Sequence, residues 1–125
     1  MNAVDVQRLA NRRLIDENSV LITIRREELV SAPDGGRVLQ VSILPPFQAR
    51  LVPSKVQKRK IQDEGGELQT SAWILIAPWN ANINAGSGIT DTFQAFERNF
   101  RISQVTPRKF AGQVYAVHAA VEEMK

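Results

Sequence analysis

The segment Ser71–Ala77, closed by Pro78, constrains this chain more than any other feature. Its apolar run is far shorter than the ~20 residues of a membrane span. A proline ends it, and continuous apolar character over a strand's length implies burial on both faces. It is read as a buried strand carrying Trp73. Behind it come Trp79, a polar bend and the pair Gly86 and Gly88. Both tryptophans of the chain fall here, and nothing in the stretch performs covalent chemistry, so it reads as a structural hub.

Around this strand the hydrophobic period changes along the chain. Ala3, Val6, Leu9, Ala10 and Leu14 recur at helical spacing, predicting a helix over 3–17 with these residues facing inward. Asn2 is placed to cap it, and Asn18 to end it in the left-handed conformation. From Val20 the period is two. Val20, Ile22 and Ile24 predict a strand, and Leu39, Val41 and Ile43 predict its hairpin partner across the turn Pro33-Asp34-Gly35-Gly36. Pro45 and Pro46 precede a third strand, Phe47–Val52, and Pro53 follows it, which suggests a sheet edge or barrel rim.

Residues 53–70 have no apolar period and read as one long mobile, projecting loop. Thr90–Ala95, Phe100–Val105 and Val114–Glu122 supply the remaining strands, with 107–112 as a connection. In the last strand Tyr115, Val117, Ala119 and Val121 share a face, opposite His118. The expectation is a mainly β fold: a single domain over 1–125, with a short N-terminal α-helix and a small antiparallel β-barrel of about seven strands over 20–122.

The residues offer little chemistry. There is no cysteine and a single histidine, His118, which excludes disulfides and thiolate metal sites and leaves a catalytic or zinc-binding histidine without partners. No serine stands in a nucleophile elbow. Gly86-Ser87-Gly88 lacks the lysine and helix of a phosphate loop and reads as a tight turn. No enzyme activity, cofactor or metal site is expected. The start of the chain has no basic patch before an apolar stretch, so no secretion signal is expected, and synthesis is placed in a cytoplasm.

Sixteen Lys and Arg against thirteen Asp and Glu leave a net charge of +3, which permits an acidic partner without requiring one. Lys55, Lys58, Arg59 and Lys60 form the one basic cluster. On a monomer it solubilises a loop. Repeated around a ring with the loops inward, it makes a positive collar for a phosphate backbone, without sequence readout. Trp79 and Phe110 lie in connections and are candidate interface anchors.

In its order of features the chain resembles the head-to-tail stopper, or head-closure (head-tail joining), proteins of tailed bacteriophages. The resemblance is carried by the stretch Arg13–Arg26, by Pro45–Pro53 ending in Arg50-Leu51-Val52-Pro53, by Trp73–Trp79 followed by Ala81–Gly86, and by the strands after Asp91-Thr92-Phe93. The family's compact Gly-Asp-aromatic turn is longer here, and Phe96–Phe100 replaces a glycine-bearing hairpin.

The resemblance implies a virion structural protein of the neck, made in the host bacterial cytoplasm. It implies a homo-oligomeric ring, typically a dodecamer, that closes the DNA-filled head. Such a ring meets the portal or adaptor ring on one side and a tail terminator or tail tube on the other, with non-specific contact to packaged double-stranded DNA and none to a membrane. The 53–70 loop is then the candidate gate. The Val30–Arg37 tip with Asp34, and the helix, are candidates for contact with neighbouring rings. A tail-completion or adaptor protein of the same connector, and a small monomeric β-barrel that binds nucleic acid, are the alternatives.

Overall fold

The computed structural model describes residues 2–54, 62–63, 66–67 and 72–124. Helix α1 spans Ala3–Asp16. The Asn2 side chain accepts the Asp5 backbone N–H at 2.9 Å, satisfying one of the helix's orphan donors as expected. The far end differs from the expectation. The helix closes at Glu17 in the right-handed conformation, and Asn18 is not left-handed. Arg50 supplies the stop from a distant strand: its Nη1 donates to the Leu14 carbonyl at 3.1 Å and to Glu17 at 3.2 Å. A cation at the negative end of the helix dipole replaces a local cap.

The strands are β1 Val20–Ile22, β2 Arg25–Ser31, β3 Arg37–Ile43, β4 Phe47–Pro53, β5 Gln62–Asp63, β6 Gly66–Glu67, β7 Ala72–Pro78, β8 Ile89–Ala95, β9 Arg98–Phe110 and β10 Gln113–Met124. Eight form one antiparallel sheet in the order β1-β4-β7-β10-β9-β8-β2-β3, and β5 pairs with β6. The sheet curls into a half-barrel that brings β1 back against β8, and β2 and β3 continue past β8 as a flap. The fold is mainly β with one N-terminal helix, as the alternation predicts.

Three strand assignments change. The first predicted strand is two, broken at Thr23–Ile24, because the chain exchanges partners there. Val20–Ile22 pairs with β4, whereas Arg25–Ser31 pairs with β3 and β8. Ile22 and Ile24 are both fully buried, so the inward phase runs through the break and conceals it. Second, β4 is not an edge: β1 borders residues 47–49 and β7 borders residues 50–53. Third, β9 runs to Phe110, and the expected connection shrinks to Ala111–Gly112, both at positive φ. Pro107 is tolerated because β9 has passed the end of β8, so an N–H missing on the open side breaks no ladder.

Inside the curl, Phe100 is fully buried. It stacks on Phe93 at 5.3 Å and meets Trp73 edge-on at 5.5 Å. Leu75, Ala77, Val117, Ala119 and Val121 fill the rest of this layer from β7 and β10. Ser103 is bulged out of the β9–β10 ladder and bonds the Ala120 carbonyl at 2.9 Å.

The helix lies on the other face. Register puts Arg50, Ile76, Pro78, Ala116 and His118 outside, and Arg50 holds the helix C-terminus there. Val4, Ile15 and Ala116 are buried but belong to no part of the inner cluster. This second layer is why β7 is apolar on both faces, although Ile74 and Ile76 are only half-buried.

The helix itself is turned round from its predicted orientation. Val4, Asn11 and Ile15 face the sheet, while Val6, Leu9 and Leu14 are exposed. Polar contacts decide this. Asn11 Nδ2 donates to the Ala77 carbonyl at 3.2 Å, and Arg8 Nε donates to the Val114 carbonyl at 3.0 Å. Turning the apolar stripe inward would give up both bonds, at about 1 kcal/mol each.

Candidate interaction surfaces

Trp79 follows β7 in a turn closed by the Ala81 N–H to the Pro78 carbonyl at 3.1 Å. It is nearly half exposed, but its face is partly occupied: the Arg8 guanidinium lies 3.8 Å over the ring. Asp5, Arg8, Asn11 and Ile15 with Pro78 and Trp79 line a groove of about 420 Å³ between helix and turn. Trp79 thus clamps α1 to the sheet, a contact worth about 0.5–1 kcal/mol at an exposed site, and part of the residue stays exposed.

Phe110 is exposed at the tip of the β9–β10 hairpin, whose residues 106–113 are all exposed apart from the backbone ladder that joins them. Asp34 is exposed at the β2–β3 tip. Its Oδ1 accepts the Gly36 N–H at 3.1 Å, and Gly35 at φ 88° completes the bend.

Register brings these three expected interface residues to one end of the sheet. Ala116 pairs with Pro78, and Gln113 with Phe110. Working across through β8, Ser31 and the flap tip point the same way. Lys55, Lys58, Arg59 and Lys60 lie outside the described residues, as does most of the 53–70 loop. The strand ends that flank that segment, Pro53 and Trp73, pair with each other at the opposite end of the sheet, beside the β8–β9 turn. In that turn Phe96 and Glu97 are both left-handed without glycine, at φ 53° and 61°. The two-residue turn sets a regular register, Ala95 opposite Arg98.

The best-built polar site is one that was not singled out as a site from the sequence. Asp91 is fully buried and takes two bonds of 2.8 Å from the Arg26 guanidinium and one of 2.7 Å from the Asn84 N–H. Arg26 also donates to Asn82 at 3.1 Å. The cluster ties β2, β8 and the bend after Trp79 together. The hydrogen bond to Asp91 raises the Arg26 guanidinium above its ordinary pKa, against the opposing effect of burial. A sequence signal did exist: Asp91 shares the inward phase with Phe93 and Ala95, and a carboxylate on a core phase requires a partner.

His118 sits on the outer face in a shallow hollow with Ile74, Gln104, Thr106 and Arg108. Burial lowers its pKa, and the Arg108 charge lowers it further. Among the described residues no three of His, Asp and Glu come together to hold a metal ion, and no helix is long and apolar enough to cross a membrane.

The flap presents an apolar face. Ladder parity puts Arg25 level with Thr92 on the outside and Arg26 with Asp91 on the inside. Leu29, Leu39, Val41 and Ile43 therefore share the outer face, and all are exposed. Arg25 and Glu27, which form an ion pair, lie on the same face. Strand β3 is also an open sheet edge of seven residues without proline or lysine.

No family model matches the chain, and no curated protein matches it. Among solved structures it is similar to a chain described as "Virion of native gene transfer agent (GTA) particle", at 22% identity over 82% of this chain and 93% of that one, with a TM-score of 0.44. A fit of that closeness is a likeness and nothing more.

Proposed function

We propose that this chain is a virion structural protein that acts as a ring subunit of a phage-like neck, a head-to-tail stopper. Its role is mechanical rather than enzymatic. The observation that carries the reading is the β2–β3 flap, a seven-residue open edge with four exposed aliphatic side chains on one face. Exposed edges and apolar faces of this extent belong to assembling proteins.

The sequence resemblance to stopper proteins points the same way. The polarity of the sheet suits a connector: Trp79, Phe110 and Asp34 stand at one end, and the segment bearing the basic cluster departs from the other. On this reading the first end meets a neighbouring ring, portal or adaptor above or tail terminator below. On the same reading Lys55, Lys58, Arg59 and Lys60 are the candidates for contact with the packaged DNA. An adaptor would be mainly helical, which this fold is not.

The test is particle assembly with the gene deleted. Heads made without the chain should package DNA, lose it and remain tailless, and supplying the chain should restore both properties. Heads that keep their DNA and acquire tails without it overturn the proposal. Tight salt-dependent DNA binding by the isolated monomer would instead favour a nucleic-acid-binding barrel.

A further inference from the structure

Among the apolar surfaces left uncovered in the described residues are two extended faces. One is the outer face of the flap, where Leu29, Leu39, Val41 and Ile43 are 47–65% exposed. The other is the outward stripe of α1, where Val6, Leu9 and Leu14 are 39–51% exposed. Each presents on the order of 300–400 Å² of apolar surface, the size at which patches on a monomer mark contact sites.

We infer that the α1 stripe of one copy packs on the β2–β3 flap of the next copy. The dimensions agree: 14 helical residues span about 21 Å, and seven strand residues about 24 Å. The summed apolar area, roughly 700 Å², corresponds at the usual apolar fraction to an interface of about 1,200 Å², the lower end of the stable range. Each contact is then weak alone and firm only when repeated.

A two-fold pairing of β3 with β3 would satisfy the open edge but leave both apolar faces in water. The helix-on-flap contact covers both at once. Its two halves lie on different parts of one chain, the flap past β8 and the helix over β4, β7 and β10, so the contact is heterologous and propagates around a ring or along a filament. The inference rests on the ring reading above for its closure, and on these two faces for the contact.

The chain has no cysteine, so single thiols can be placed freely. Leu9→Cys and Val41→Cys chains, mixed at high concentration with a short bis-maleimide, should give the mixed dimer about tenfold over either self-dimer, the ratio that about 1.4 kcal/mol of preference produces. Excess Val41→Cys self-dimer, or mixed product no greater than that from a control pair using Asn99→Cys in place of Val41→Cys, overturns the contact. A chain carrying both Leu9→Cys and Val41→Cys then tests closure. A ladder ending in a species without free thiols supports the ring. Free thiols at every length preserve the contact and sink the ring.

Discussion

Replacing Asp91 by alanine should be the most damaging single change to a polar residue in this chain. The side chain is fully buried, and the Arg26 side chain is only 15% exposed. The substitution removes both 2.8 Å charge-assisted bonds and leaves the Asn84 N–H without its acceptor. Breaking one side of a buried ion pair costs about 3–5 kcal/mol, because the surviving charge stays desolvated. The strands around it bury a full aromatic core, so the fold should survive, but against a total stability of about 5–15 kcal/mol the loss is large. At this chain length it corresponds to a melting temperature lower by roughly 10–20 °C.

Urea unfolding followed by both far-ultraviolet circular dichroism and tryptophan fluorescence gives the number, with coincident transitions as the check on two-state behaviour. The companion variant, Arg26→Met with Asp91→Leu, removes both charges and should be less destabilised than Asp91→Ala alone. A cost below about 1 kcal/mol for Asp91→Ala, or full additivity in the double variant, would refute the assignment of a coupled buried pair.

The His118 pKa is lowered in the fold by burial and by Arg108, so the unfolded chain takes up its proton first. Stability should therefore fall as pH drops from about 6.5 toward the lowered folded value, with the full loss present below it. His118→Gln should flatten this part of a melting-temperature profile, and an unchanged slope would exclude His118 as its source. Ala111 is left-handed at φ 52° ahead of Gly112, so Ala111→Asn creates the preferred hairpin pair and should add about 0.5 kcal/mol in the same unfolding assay. A lower stability would mean that the turn is held by contacts other than its own backbone. Changing Lys55, Lys58, Arg59 and Lys60 to serine should leave the melting temperature unaltered but impair DNA retention by filled heads. Full retention removes the collar and leaves the barrel intact.

The exposure of Trp79, Phe110 and Asp34 was readable residue by residue, because each stands at or beside a chain reversal that a proline or glycine announces. That they share one end of the sheet was not readable, because it follows from strand register across five neighbours. Nor was the flap's apolar face: Leu39, Val41 and Ile43 alternate like any half-buried strand, and only their place at the sheet edge leaves them in water.

By itself, the order of residues determined which segments extend, where they reverse, and which phase of most strands turns inward, since backbone sterics and period-two burial act over a few neighbours. Tertiary structure alone decided that Thr23–Ile24 separates two strands, that α1 turns Asn11 rather than Leu9 to the sheet, and that Asp91 meets Arg26. These outcomes depend on carbonyls and charges brought together from distant parts of the chain, and a buried polar group takes whichever partner the assembled fold leaves without one.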